Sequence, residues 1–158
     1  MTNAPDQFDI SIGNPLSSEL DLLFERHVVA MHADTPPESI HMMPRETLVS
    51  PEITFFVMRR GSKPVAMGAL KRLEPSHGEL KSMHVLSELR GQGLSRRLLD
   101  HMVAHARAQG LRRLSLETGA QPSFQAARGL YQRAGFAECP PFANYRLDPN
   151  SVYMTLML

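Results

Sequence analysis

Apolar and polar residues alternate along short stretches in the first half of the chain. Phe8–Ile12 is one such stretch, and the Gly-Asn-Pro sequence after it predicts a turn following a first strand. A stripe of apolar residues at spacings of three and four then predicts a helix. This helix is expected to begin at Ser17 or Ser18, either of which can cap it, and to end before Pro36. The segment 37–49 predicts one or two short helical turns.

Three strands in succession are predicted for the next part of the chain, over Ile53–Arg59, Val65–Leu73 and Glu79–Leu86. Pro75–Gly78 is expected to form the turn before the last of them, because proline and glycine favour chain reversals. From Leu94 onwards, helical and extended patterns alternate: a helix that ends at Gly110, a strand at Arg113–Glu117, a helix at Ser123–Ala134, a strand from Phe136 and a strand at Val152–Leu158. Such alternation is typical of parallel strands joined by helices. The predicted fold is therefore α/β (α+β), with a mixed central sheet of about six to seven strands and helices on both faces.

Length and composition fit one compact domain that spans residues 1–158. The net charge is +1 at pH 7, so no strong basic field points to nucleic acid as a partner. The single cysteine, Cys139, excludes an internal disulfide and is compatible with a reducing compartment. Met1–Ile10 lacks the basic and apolar regions of a signal peptide, and no stretch approaches the roughly 20 apolar residues of a membrane span. A cytoplasmic location without membrane association is expected.

The strongest functional signal lies where the strand Glu79–Leu86 passes into the following helix through a loop that contains Gly91 and Gly93. The first N–H groups of a helix have no intrahelical partner, and the helix dipole makes them partly positive. Glycine lets a ligand approach such a backbone closely, so the loop predicts an anion site. Arg90 and Arg96 add positive charge, and a diphosphate is the expected anion. The residues match neither the Walker pattern nor the three-glycine dinucleotide fingerprint.

The pattern Arg90-x-x-Gly93-x-Ser95 resembles the (Gln/Arg)-x-x-Gly-x-(Gly/Ala) signature of the GNAT acetyltransferase superfamily. Leu130–Phe136 resembles the Leu-Tyr-x-x-x-Gly-Phe motif of the same superfamily, and the similarity extends over Val65–Phe136. The resemblance, which is to a bacterial subgroup of unassigned substrate, implies acetyl-CoA as cosubstrate and no metal. It implies direct acetyl transfer to a primary amine of a small molecule or a protein. A non-catalytic acyl-CoA-binding sensor is the alternative.

The resemblance assigns cofactor binding to the end of the strand and to the loop, with the residues Met83, His84, Val85, Arg90, Gly91, Gln92, Gly93, Leu94, Ser95 and Arg96. The main chains of Met83 and Val85 are expected to bond the amides of pantetheine. Within the strand, the apolar positions Leu80, Met83 and Val85 slip by one residue, which predicts a β-bulge. In GNAT proteins this bulge separates the strand from its neighbour.

Two positions depart from the family pattern. Ser95 stands where glycine or alanine is usual, and its small side chain is able to donate a hydrogen bond to a phosphate. Phe124 stands where many relatives carry an asparagine that contacts the cofactor. Gln125 is a candidate replacement for that contact.

Acetylation of an amine needs a base that takes a proton from the amine and an acid that protonates the leaving thiolate. By resemblance, Tyr131 is the acid, and Glu79 is the carboxylate that relatives often place on the fourth strand. His41 and His84 are rival bases, because imidazole titrates near neutral pH. The resemblance places the acceptor pocket in the region after the first helix, and the residues predicted to bind the acceptor are Glu38, Ser39, His41 and Tyr145. A homodimer is expected from the resemblance alone.

Overall fold

The computed structural model describes residues 7–158. Most of the Met1–Ile10 segment, which is expected to carry no signal peptide, therefore lies outside the described residues. The strands are β1 (Phe8–Ile12), β2 (Ile53–Arg60), β3 (Lys63–Glu74), β4 (His77–Val85), β5 (Arg113–Gly119), β6 (Ala137–Glu138) and β7 (Ser151–Met157). The α-helices are α1 (Asp21–Asp34), α2 (Leu94–Ala108) and α3 (Gln125–Arg133). None of these helices is long and apolar enough to cross a membrane.

The seven described strands form one sheet in the order β1-β2-β3-β4-β5-β7-β6. β4 and β5 are parallel, because α2 returns the chain to the same end of the sheet between them. Every other neighbouring pair is antiparallel. The mixed sheet confirms the predicted fold class. The locally parallel arrangement is confined to β4 and β5, since β7 lies between β5 and β6.

Helices cover both faces of the sheet, as two neighbouring phenylalanines of β2 show. Successive side chains of a strand point to opposite faces, so Phe55 and Phe56 face in opposite directions. Phe24 of α1 stacks on Phe55 with ring centroids 5.8 Å apart. His101 and His105 of α2 meet the edge of Phe56 at 5.7 and 5.1 Å. The two sides are called the α1 face and the α2 face below.

Helix α2 presents the apolar stripe that its sequence spacing predicts. Leu98, Leu99 and Met102 are fully buried on the sheet. The chain leaves the helix through Gly110, whose φ of 81° is the left-handed conformation common after helix ends. Helix α3 is shorter than predicted, because Pro122–Phe124 forms a 3₁₀ turn before it.

The turn predicted over Pro75–Gly78 is shorter in the structure, because β4 already begins at His77. Gly78 is a strand residue that pairs with Leu114 of β5. A Cβ atom at Gly78 would lie 2.8 to 3.1 Å from the side chains of Leu111, Leu114 and Leu70. This glycine therefore reflects close packing inside the sheet and not a chain reversal.

The segment 37–49 folds into two 3₁₀ turns, Pro37–Ser39 and Arg45–Leu48, as predicted. The Arg45 side chain fixes it beside the start of α1. Its guanidinium donates hydrogen bonds of 2.6 and 2.7 Å to the carbonyl oxygens of Pro15 and Ser17. The segment is thereby held over the α1 face, where it forms one wall of the site described next.

Candidate active site

The sheet opens between β4 and β5. Their parallel pairing runs from His77 and Arg113 to Leu80 and Leu116 and stops there, although β4 continues to Val85. β5 likewise continues beyond the last residue that pairs with β4. Main-chain N–H and C=O groups on the facing edges are therefore available to a ligand that enters the gap.

A β-bulge in β4 accompanies this opening, as predicted from the apolar pattern. The register with β3 shifts so that Gly68 faces both Ser82 and Met83. Ser82 has a φ of 56°, an uncommon conformation for a residue with a side chain. A Cβ at Gly68 would lie 3.3 Å from Met83 and 2.8 Å from Met102 of α2. Met83 thus points to the α2 face, whereas Lys81, which pairs with Ala69, points to the α1 face.

Beyond β4, the chain reaches α2 through the loop predicted to bind a diphosphate. Gly91 and Gly93 have φ values of 82° and 77°, and no atom lies within 4 Å of the position that a Cβ would occupy on either. Gly93 directly precedes the 15-residue helix. The exposed backbone and the free N–H groups of the first turn fit a diphosphate.

The side chains around this loop differ in their availability. Arg90 is exposed and pairs with no carboxylate in the part of the chain that the structure describes. Arg96 bonds Asp100 one helical turn away, with an Nε–Oδ1 distance of 2.9 Å. Leu94 is buried in the core and anchors the loop, while Ser95 is half-buried. Arg90 is therefore the side chain best placed to contact a phosphate.

A cavity lies at the gap, and five of the predicted site residues line it: His41, Glu79, Met83, Tyr131 and Tyr145. Glu38 is exposed outside it. Ser39 is buried behind the wall, where its Oγ accepts a 3.2 Å hydrogen bond from Asn150 Nδ2. Ser39 thus joins the segment 37–49 to the loop between β6 and β7.

Tyr131 of α3 reaches the cavity from the α2 face. Its hydroxyl donates to Sδ of Met83 at 3.6 Å, and its ring meets the edge of Phe136 at 5.8 Å. Burial, helped by the negative charge of Glu117, raises the pKa of Tyr131 to about 12. The phenol therefore keeps its proton at neutral pH and is available as a proton donor.

Three polar side chains form a hydrogen-bonded cluster on the α1 face. The hydroxyl of Tyr145 donates a 2.6 Å hydrogen bond to Oε2 of Glu79. Nζ of Lys81 lies 3.2 Å from the same oxygen and 3.0 Å from the Tyr145 hydroxyl. Glu79 is buried, with its side chain 5% exposed. The cluster ties the loop between β6 and β7 to β4.

Glu117 of β5 is a site residue that the sequence analysis missed. It lies one residue beyond Leu116, the last residue of β5 that pairs with β4, and lines the cavity. Ser115 pairs with Glu79, so Glu117, two residues further on, points to the same α1 face. Burial raises its pKa to about 7. The alternation of polar residues with Leu114 and Leu116 was the signal that could have identified it.

His27 and His84, two histidines of the α1 face, are less suitable than Glu117 as a general base. His27 and His84 pack edge to face with ring centroids 5.3 Å apart, and both are buried. Burial lowers the pKa of each to about 4. Both rings are therefore neutral and weakly basic near pH 7.

The site combines a strand-to-helix loop shaped for a diphosphate with a sheet gap that holds a buried phenol and a carboxylate. This combination defines an acyl-CoA-dependent acyltransferase class of protein. The family model described as the Acetyltransferase (GNAT) family matches residues 20–136. The chain belongs to this family.

Similar proteins agree with this membership. The chain is 42% identical to the uncharacterized N-acetyltransferase YsnE of Bacillus subtilis, over 94% of this chain and 99% of that protein. It is 43% identical to the IAA acetyltransferase of Azospirillum brasilense, over 75% and 77% of the two chains. A crystal structure named as an acyl-CoA N-acyltransferase from Klebsiella pneumoniae superimposes with a TM-score of 0.80 and 27% identity, covering 96% and 98% of the chains.

These findings confirm the predicted family, the predicted acetyl transfer and the predicted class of enzyme, and they do not favour the sensor alternative. Use of an acyl-CoA follows from the family. Within residues 7–158, no group of three or more His, Cys, Asp or Glu side chains is arranged to hold a metal ion.

Proposed function

We propose that this protein transfers the acetyl group of acetyl-CoA directly to a primary amine, with Glu117 as the base and Tyr131 as the acid. The observation that carries the proposal is the placement of these two groups in one cavity, on opposite faces of the sheet gap. An amine that approaches from the α1 face meets Glu117. A thiolate that departs toward the α2 face meets Tyr131.

The loop Arg90–Ser95 and the end of β4 hold the coenzyme in this proposal. The backbone at Gly91 and Gly93 and the Arg90 guanidinium bind the diphosphate. Met83 and Val85 have no pairing partner on β5, and the main-chain groups on this edge align the pantetheine arm, which lies alongside β4 as an additional strand would. The coenzyme supplies an acyl group already activated as a thioester, and the fold places that group at the gap.

Three proton movements balance the reaction. The acceptor ammonium first loses one proton to solvent, and the resulting amine nitrogen forms the new C–N bond and gives its surplus proton to the carboxylate of Glu117. The C–S bond breaks and the thiolate takes the Tyr131 proton, after which transfer of the Glu117 proton to the Tyr131 phenolate through solvent restores both groups. With a pKa of about 7, a large fraction of Glu117 is ionised near neutral pH and is still basic enough to accept a proton. Tyr131 remains protonated until the thiolate needs its proton.

The contacts of Glu79 favour a different role for this carboxylate. Its Oε2 already accepts from Tyr145 and Lys81, so it holds these two side chains in place. The sequence-based assignment of Glu79 as a catalytic group stays a prediction. So does direct contact of Glu38 and Ser39 with the acceptor.

Release of free coenzyme A thiol in the presence of acetyl-CoA and a panel of primary amines tests the proposal. Turnover with at least one amine, and acetylated product in the mass spectrum, is expected. Tight binding of acetyl-CoA by calorimetry without turnover on any amine would support the sensor alternative instead. A cytoplasmic location and a homodimer remain predictions, and light scattering on the purified protein tests the second.

A further inference from the structure

We propose that the acceptor is a free α-amino acid with an apolar side chain, whose carboxylate is bound by Lys81 and His41. This inference rests on the proposed acetyl transfer and names the class of amine that this site selects. It follows from one nitrogen without a partner, His41 Nε2, from an unused N–H of Lys81, from the charges of the cavity and from the methionines that line it.

Lys81 has a hydrogen-bond donor left over. An ammonium carries three N–H groups, and those of Lys81 have two partners among residues 7–158, the carboxylate of Glu79 and the hydroxyl of Tyr145. The side chain is only 11% exposed and lines the cavity. Its third N–H is therefore available to an oxygen atom of the acceptor.

His41 supplies a second unsatisfied group on the same wall. Its Nε2 is buried and has no hydrogen-bond partner within the described part of the chain. Its ring meets the edge of Tyr145 at 5.1 Å, and the hydroxyl of Tyr145 bonds Lys81. Lys81 and His41 thus both contact Tyr145. Buried polar atoms without partners are rare and costly, so a ligand that bonds His41 Nε2 is favoured, and an oxygen that also accepts from Lys81 adds a second bond.

The sign of the charge on Lys81 narrows the chemistry of that ligand. An acceptor amine is a cation in water, and Glu117 is the carboxylate of the cavity that is not paired with Lys81. The remaining N–H of Lys81 bonds an anionic oxygen of the same acceptor more strongly than a neutral one. The cavity contains two carboxylates, Glu79 and Glu117, beside the one ammonium of Lys81. An α-amino acid matches this arrangement, with its ammonium toward Glu117 and its carboxylate toward Lys81.

Three methionines indicate the nature of the acceptor side chain. Met31, Met42 and Met43 line the cavity on the α1 side, together with His41. Thioether side chains are apolar and adapt to irregular shapes. They suit an aliphatic amino acid, such as leucine or methionine, better than a charged one.

Steady-state acetylation of three matched amines by the full-length protein tests the inference. L-Leucine carries the carboxylate, L-leucinamide replaces it with an amide as a peptide N-terminus does, and 3-methylbutylamine lacks it. We expect kcat/KM for leucine to exceed the values for both other amines by about tenfold or more. Leucinamide has the least basic amine of the three, so near neutral pH the largest fraction of it is the neutral amine that attacks the thioester. This fraction favours leucinamide, so a preference for leucine points to its carboxylate.

Variants of Lys81 assign the preference to this residue. Lys81→Met should reduce the leucine-to-leucinamide ratio to about one, mainly by raising KM for leucine, and Lys81→Arg should keep most of it. Lys71→Met is the matched control, because Lys71 lies beside Glu79 on the neighbouring strand but outside the cavity, and it should leave the ratio unchanged.

Two outcomes would overturn the inference alone: equal or better use of leucinamide by the unaltered protein, or an unchanged ratio in Lys81→Met. Acetyl-CoA binding without acetylation of any of these or other primary amines would instead remove the proposed function, and the inference with it.

Discussion

The hydroxyl of Tyr145 donates a 2.6 Å hydrogen bond to Oε2 of Glu79, a residue 66 positions earlier in the chain. This bond holds the loop between β6 and β7 against the α1 side of the cavity. Tyr145→Phe removes it and leaves a buried carboxylate with one partner fewer. We expect KM for the acceptor to rise several-fold, with a smaller change in kcat, and the free energy of unfolding to fall by about 1–2 kcal/mol.

Tyr153→Phe is the control for this prediction. The Tyr153 hydroxyl donates a 2.5 Å hydrogen bond to the carbonyl oxygen of Arg146 in the same loop, but the residue does not line the cavity. A similar loss of stability with an unchanged KM is expected, measured by urea unfolding and steady-state kinetics. Equal effects of both variants on KM would show that loop stability, and not the bond to Glu79, controls acceptor binding.

Tyr131→Phe tests the acid. The substitution keeps the packing on Phe136 and removes the hydroxyl, which supplies the proton for the leaving thiolate and the hydrogen bond to Met83 Sδ. Turnover should fall about 100-fold, while calorimetry should give an unchanged dissociation constant for acetyl-CoA. Tyr153→Phe again serves as the buried phenol outside the cavity. Full turnover by the Tyr131 variant would exclude the phenol as the proton donor.

Gly93→Val tests the diphosphate loop. Gly93 and Gly61 have similar left-handed φ values, 77° and 61°, and both face open space. A side chain at either position should therefore cost roughly 1–2 kcal/mol of stability. Only the side chain at position 93 would also obstruct the approach of a phosphate. The dissociation constant of the Gly93→Val variant for acetyl-CoA should therefore rise by about tenfold or more. Equal affinities in Gly93→Val and in the Gly61→Val control would refute the loop assignment.

Local patterns predicted the parts of the fold and site that depend on neighbouring residues. Phe8–Ile12 forms a strand with the predicted bounds, and the bulge follows from the shifted apolar positions around Met83. The glycine loop lies at the start of α2 as predicted, because the residues that indicate it are also neighbours in sequence. Gly78 misled the turn prediction because its environment is made by side chains distant in sequence.

The missing parts of the site depend on contacts between separate elements. Glu117 matters because β4 and β5 stop pairing at Leu80 and Leu116, and that point cannot be recognised along either strand alone. The bonds that Tyr145 makes to β4 cross more than 60 residues of sequence. Sequence patterns predicted the glycine loop and five residues of the cavity, whereas Glu117 and the hydrogen bonds between Tyr145 and β4 emerged only from the structure.

The raised pKa of Glu117 predicts how kcat depends on pH. At a pKa of about 7 the residue loses its proton through neutral pH, so kcat should rise with an apparent pKa near 7 as the base form appears. Glu117→Gln should remove this limb and lower kcat about 100-fold at pH 8. Glu138→Gln, which alters an exposed carboxylate of β6, should keep both the limb and the rate.

The raised pKa of Glu117 also predicts how the free energy of unfolding changes with pH. The sign of this change follows from proton binding. The pKa of Glu117 lies above the ordinary value of 4.5, so between those two pH values the folded protein binds more protons than the unfolded chain. The contribution of Glu117 to the free energy of unfolding therefore falls as the pH rises from 4.5 to 7 and is constant outside that range. The difference in free energy of unfolding between Glu117→Gln and the unaltered protein should therefore shift in favour of the variant from pH 4.5 to pH 8. The shift should be at most about 3 kcal/mol. Urea unfolding at the two pH values measures the difference, and a variant whose relative stability is independent of pH would show that the carboxylate is not buried as the structure places it.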